Sequence, residues 1–200
     1  MNTQLTWYVA RAGGIVTWGL LVASMIWGLL YATRAFGRRV APWWLLGVHR
    51  FLGALAVVFT SVHVVALLAD NYVNFGFRDV LVPFVGSWHP LAVGWGVIAM
   101  YLLVAVEVTS LAKASIPHRV WRTVHLGAYP VFALATVHAL SAGTDTAAVI
   151  GDGLAIAIGA VAIALAIVGL DRRAMADPRR PVPAPRPTPG PSGMDPAQSA

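Results

Sequence analysis

The chain has 200 residues, 58% of them hydrophobic and only 11% charged, with a mean hydropathy of +0.71, which is too little polar surface to clothe a water-soluble domain of this size. The 14 Lys and Arg against 8 Asp and Glu give a formal charge of +6, but the cations sit in short clusters between long apolar runs, as in cytoplasmic loops and unlike a nucleic-acid face. The absence of cysteine excludes disulfides and thiolate-held iron–sulfur or zinc sites, so any metal must be held by nitrogen or oxygen ligands.

Five stretches free of charged side chains are long enough to cross a bilayer, which takes about 20 apolar residues. They lie between Arg11 and Arg34, Arg50 and Asp70, Asp79 and Glu107, Arg122 and Asp145, and Asp152 and Asp171. The predicted fold is therefore all-α, a polytopic membrane bundle with helices near 12–33, 43–69, 91–112, 119–141 and 150–170. Pro42, Pro90 and Pro117 mark three helix starts, since the first helical turn does not need the missing N–H. The first span lacks a basic leader and is too long for a signal-peptide core, so it reads as retained. No internal repeat stands out.

Arg34, Arg38, Arg39 and Arg50 flank the first turn of the chain, Lys113, Arg119 and Arg122 the third, and Arg172 and Arg173 follow the fifth span, whereas the other side has only Arg11 and Arg78. The positive-inside rule then puts the N-terminus outside and the C-terminus in the cytoplasm, in a cell or inner membrane. Trp7, Tyr8, Trp43, Trp44, Tyr72 and Trp88 fall near the expected interfaces, where amphipathic rings are favoured. Residues 1–170 form the membrane domain. Residues 171–200, crowded with proline and free of aromatics, read as a disordered cytoplasmic tail.

The chemistry lies in the histidines. His49 and His63 fall on the second predicted helix, and His125 and His138 on the fourth. Those helices run in the same direction, so His49 pairs in depth with His125 near the cytoplasmic side and His63 with His138 near the outer side. At 1.5 Å per residue the spacings correspond to about 21 and 19.5 Å. Two imidazole pairs at two depths are what a stack of two haems requires, because trans imidazoles fill both axial positions of an iron that passes single electrons. Phe59 and Phe132 sit between the two depths, as packing residues or between the cofactors. Thirteen residues on a straight helix leave His138 about 140° from the face of His125. Pro130 removes the donor for a carbonyl near Leu126 and should kink the helix there; otherwise the two ligands approach that helix from different sides. Gly53, one turn after His49, would let a flat macrocycle or a neighbouring helix approach. Arg50 and Arg122 can reach propionates, although topology alone would also place arginines there. Glu107 is the one acidic side chain inside a span and is expected to pair with an arginine. His89 and His118 have no depth partner and read as loop or interface residues.

The run His49-Arg50-Phe51-Leu52-Gly53 followed by His63, with Trp121-Arg122-Thr123-Val124-His125-Leu126 followed by His138-Ala139-Leu140, resembles the ferric reductase-like transmembrane domain over residues 12–170. That family includes ferric reductases, NADPH oxidases and the haem-binding membrane subunit of a periplasmic methionine sulfoxide reductase system. The resemblance implies a b-type cytochrome with two haems, the inner held by His49 and His125 and the outer by His63 and His138. The dinucleotide fingerprint G-x-G-x-x-G does not occur, so a separate flavin reductase or quinol is the expected donor and an extracytoplasmic protein the expected acceptor. The competing readings are an ion or proton transporter that uses the histidines and Glu107, and a structural subunit whose histidines only join helices.

Overall fold

The computed structural model describes residues 3–36, 40–70 and 73–143. The fifth predicted span, the Pro-rich tail, Arg38, Arg39 and Tyr72 lie outside the described residues. Within them the chain is helical, without strands: α1 (Thr3–Thr33), α2 (Pro42–Leu68), α3 (Phe77–Leu81), α4 (Pro90–Leu111), α5 (His118–His125) and α6 (Ala128–Ala142). Four helical segments are long and apolar enough to cross a membrane, namely 4–33, 42–68, 90–111 and the α5–α6 unit 118–142. Their flanks expose Phe51, Val65, Val108 and Leu111, surface that water would penalise and lipid accommodates. The chain is a multi-helix membrane protein.

Helix starts follow local chemistry. Pro42 and Pro90 occupy the first turns of α2 and α4, where a missing N–H costs nothing. α1 begins nine residues before the apolar stretch suggested, because a helix does not stop where it leaves the hydrocarbon. Its polar first turns are tied down by Thr6, whose hydroxyl donates to the buried Asp70 carboxylate at 3.1 Å. The short α3 was not anticipated. It hangs on α4 through the Tyr101 hydroxyl, which donates to the Leu81 carbonyl at 2.5 Å. Beyond it Phe84, in the left-handed region at φ 68°, seats its ring on Gly94, where any Cβ would overlap it.

The fourth span breaks into α5 and α6 at Leu126–Gly127, as Pro130 leads one to expect. Proline cannot donate to the Leu126 carbonyl, which accepts instead from Tyr129 N at 3.2 Å, while Gly127 N donates to the Val124 carbonyl at 2.8 Å. Both are i→i+3 bonds, and each residue in such tight turns advances about 120° instead of 100°. Gly127 is required by the tightness, since a Cβ there would lie 2.7 Å from the Val124 oxygen.

The helices pack as two hairpins. α1 lies antiparallel on α2, and α4 on the α5–α6 unit; contacts between the hairpins are sparse by comparison. The hairpins meet at mid-depth, where Leu21, Ala56, Leu103 and Val131, one from each long helix, form the buried core. Beside it Trp18 stacks on Phe132 at 6.2 Å and donates its indole N–H to the Thr136 hydroxyl at 2.9 Å. That hydroxyl donates in turn to the Phe132 carbonyl. Trp18→Phe should therefore destabilise the bundle by about 1 kcal/mol, the worth of one hydrogen bond, and Thr136→Val should add little on top of it. Unfolding in detergent of the two single variants and the double variant measures this coupling.

Candidate functional site

Above and below the mid-depth core the four span histidines come together in two layers. The rings of His49 and His125 have centroids 5.9 Å apart at an interplanar angle of 80°; those of His63 and His138 are 6.3 Å apart at 79°. The depth pairing expected from spacing is thus the pairing in space. The rotational mismatch of His125 and His138 is absorbed within the α5–α6 unit, and both rings are held by α4.

Each ring is fixed through Nδ1. His63 Nδ1 donates to the Ala10 carbonyl at 2.6 Å, His49 Nδ1 to the Ser24 carbonyl at 3.0 Å, and His138 Nδ1 to the Ala92 carbonyl at 2.8 Å. Nδ1 of His125 is bonded to the Ser110 hydroxyl at 3.3 Å, and the Ser24 hydroxyl is also 3.3 Å from His49 Nδ1. A carbonyl can only accept, so Nδ1 carries the proton in three of the rings and Nε2 keeps its lone pair. This second bond is how proteins orient an imidazole that ligates metal.

Small residues make the approach feasible. Gly14, four residues after Ala10, faces the His63 ring; Gly28, four after Ser24, faces His49; Gly96, four after Ala92, faces His138. In a helix, positions four apart share a face, so each glycine clears the path to the carbonyl one turn behind it. Gly14 and Gly28 are 14 residues apart, as are His49 and His63, and so are Gly96 and Ser110. That matched spacing was readable in the sequence and is the signal that would have found these residues. The two hairpins thus follow one plan, in which the first helix grips the histidines of the second.

The other candidates divide. Arg50 and Arg122 are exposed at the first layer. The space before Gly53, expected to admit a macrocycle or a helix, holds the Glu107 carboxylate: a Cβ would lie 3.0 Å from Oε2. His49 and Arg50 are the electrostatic neighbours of Glu107. His89 caps α4 in the left-handed region at φ 39° and lies edge-on to Trp88, and His118 opens α5 beside Trp121; neither joins a layer.

Space and unsatisfied donors accompany the rings. A cavity of about 200 Å³ is bordered by His63, His138, Gly14, Gly96, Thr17 and Trp18. Among the described residues, the buried side-chain polar atoms without a hydrogen-bond partner are Thr17 Oγ1, Trp27 Nε1 and Trp121 Nε1. Thr17 borders the cavity, Trp27 adjoins Gly28, and Trp121 stacks on His125 at 4.9 Å. Buried polar groups normally find partners, and these three orphans lie near the two histidine layers.

Residues 5–145 match the family described as "Domain of unknown function (DUF8596)", and the chain belongs to that family. No curated protein and no solved structure matches it.

The glycine contacts predict a graded series. Gly96→Ala sets a Cβ 2.7 Å from His138 Nδ1, Gly28→Ala 3.0 Å from the His49 ring and Gly14→Ala 3.2 Å from the His63 ring, whereas Gly19 and Gly47 face open space. Gly96→Ala should cost about 1–3 kcal/mol by overpacking, Gly28→Ala less and Gly14→Ala least. Gly19→Ala and Gly47→Ala should be neutral or stabilise by up to about 1 kcal/mol through helix propensity. Thermal unfolding in detergent orders the five variants.

Proposed function

We propose that this member of the DUF8596 family is a transmembrane b-type cytochrome that holds two haems, one between each histidine pair, and relays electrons through the membrane. The observation that carries the reading is the set of four imidazoles, paired across the two hairpins, three of them held by Nδ1 on a backbone carbonyl so that Nε2 keeps its lone pair. An iron–imidazole bond of about 2.0 Å, comparable to other metal–imidazole bonds, plus about 1.1 Å from nitrogen to ring centroid, doubled, would set two imidazoles that share one iron about 6.2 Å apart. The observed 5.9 and 6.3 Å fit that value. Among the described residues no three His, Cys, Asp or Glu side chains gather into a metal cage, and two imidazoles are fewer ligands than a bare ion usually takes. A porphyrin brings four nitrogens of its own and asks for two more. The sparse contact between hairpins leaves room for a flat ligand, and the orphan donors offer partners for its edge.

In this reading haem supplies reversible one-electron chemistry at iron. The protein's part would be to hold one haem with His49 and His125 and the other with His63 and His138. It also orients the rings through the Ala10, Ser24 and Ala92 carbonyls, and excludes water between the layers with the Leu21–Ala56–Leu103–Val131 core. The layers lie 14 residues apart on α2, about 21 Å. The resemblance to the ferric reductase-like domain supports the same assignment: His49 and His125 for the haem on the cytoplasmic side, His63 and His138 for the outer one. A separate flavin reductase or quinol is the proposed donor and an extracytoplasmic protein the acceptor.

Protein expressed with ample haem should show a Soret band, reducible α and β bands, and two haems per chain by pyridine haemochrome. His63→Ala should lose one haem and keep the other. A colourless preparation ends the proposal, and equal loss of both haems in His63→Ala ends the assignment of independent sites.

A further inference from the structure

We infer that the indole N–H groups of Trp27 and Trp121 form a carboxylate-binding rim on the His49–His125 site, one that takes the propionates of a haem held there. The inference rests on the cytochrome reading and adds to it the residues that recognise the ligand's acidic edge.

The two indoles stand on different partners of the two hairpins, Trp27 on the helix that grips His49 and Trp121 on the helix that carries His125. Trp27 lies three residues beyond Ser24, whose carbonyl holds His49, and next to Gly28, which packs on the His49 ring. Trp121 precedes His125 by one turn and stacks on its ring at an interplanar angle of 20°. Because α1 and α5 run in opposite directions, both steps lead toward the same end of the bundle. Trp121 is thereby displaced from the His125 ring away from mid-depth, while Trp27, level with the His49 ring between Ser24 and Gly28, has its own ring 6.1 Å from that of Trp44, five residues before His49. Both Nε1 atoms are buried and lack a hydrogen-bond partner, whereas the indole of Trp18 at mid-depth donates to Thr136. A buried N–H left unpaired is costly, and a carboxylate is the acceptor that rewards it most.

The charge around the indoles has the matching sign. Lys113 Nζ lies 4.0 Å over the Trp121 ring, and Arg50 and Arg122 adjoin the same layer as exposed cations. The Glu107 carboxylate lies against Gly53, one turn from His49 toward mid-depth. A planar ligand with its acidic edge turned to the indoles and its apolar edge to mid-depth would be met by donors and cations at one end and by aliphatic side chains at the other. An anionic lipid headgroup could offer the same oxygens, and the test separates the two sources.

The full-length His63→Ala chain, which isolates the first site, is titrated with iron protoporphyrin IX and with its dimethyl ester, whose carboxylates are blocked. The Soret band is followed before and after Trp27→Phe and Trp121→Phe. Each substitution should weaken binding of the free acid roughly tenfold, the order expected for a lost charge-assisted hydrogen bond, and leave the ester unaffected. Ester binding thus reports that each variant is folded. Equal weakening of both forms, or no weakening, overturns the inference, and the latter is also the result if lipid occupies the donors. If the starting chain binds neither form, the cytochrome reading itself fails. Without any tryptophan substitution, infrared bands of propionates labelled with carbon-13 should be displaced from those of hydrated carboxylates, and undisplaced bands overturn the inference on their own.

Discussion

The arrangement depends on one interaction, made by three of the four span histidines, the bond from Nδ1–H to a backbone carbonyl of the neighbouring helix. In hydrocarbon an imidazole N–H without an acceptor is costly, and the helical carbonyls are already engaged by the N–H four residues on. A carbonyl oxygen has a second lone pair, but a side chain four residues ahead covers it. Glycine at that place uncovers it, which is why Ala10 is followed by Gly14, Ser24 by Gly28 and Ala92 by Gly96. Holding the ring by Nδ1 also sets its tautomer, so packing and the nitrogen that keeps a free lone pair are decided by one contact.

This grip operates inside a hairpin, and the bundle's division into two hairpins follows from it. Each first helix must lie close along its second to reach two histidines 13 or 14 residues apart, which accounts for the tight pairing of α1 with α2 and of α4 with α5–α6. Between hairpins, the described residues close at mid-depth, where small and branched side chains and the Trp18–Thr136 bond join α1 to α6. Above and below that plug the imidazole rings of the two hairpins meet in pairs.

Much of the frame was legible in the sequence because its causes are local. Uncharged stretches marked the described spans, Pro42 and Pro90 marked helix starts, and Pro130 marked the break at Leu126, since a missing N–H acts on a carbonyl a few residues away. Depth pairing was legible because helical rise is regular. The start of α1 was not, as hydropathy reports where lipid would lie and not where hydrogen bonding begins. The α3 segment was not, because its five residues depend on Tyr101 and on the turn at Phe84. The open face of Gly53 was visible, but not that the Glu107 carboxylate of α4 is what lies against it.

By itself, then, the sequence determined that this is a helical membrane protein whose histidines fall at two matched depths, since hydropathy, proline chemistry and the 1.5 Å rise act along a single chain. Which nitrogen of each ring is held, which glycine admits it, and which indole N–H groups are left unpaired were decided only when helices packed. Those properties belong to pairs of surfaces, and a side chain's partner across a helix interface depends on rotation and distance that no one helix specifies.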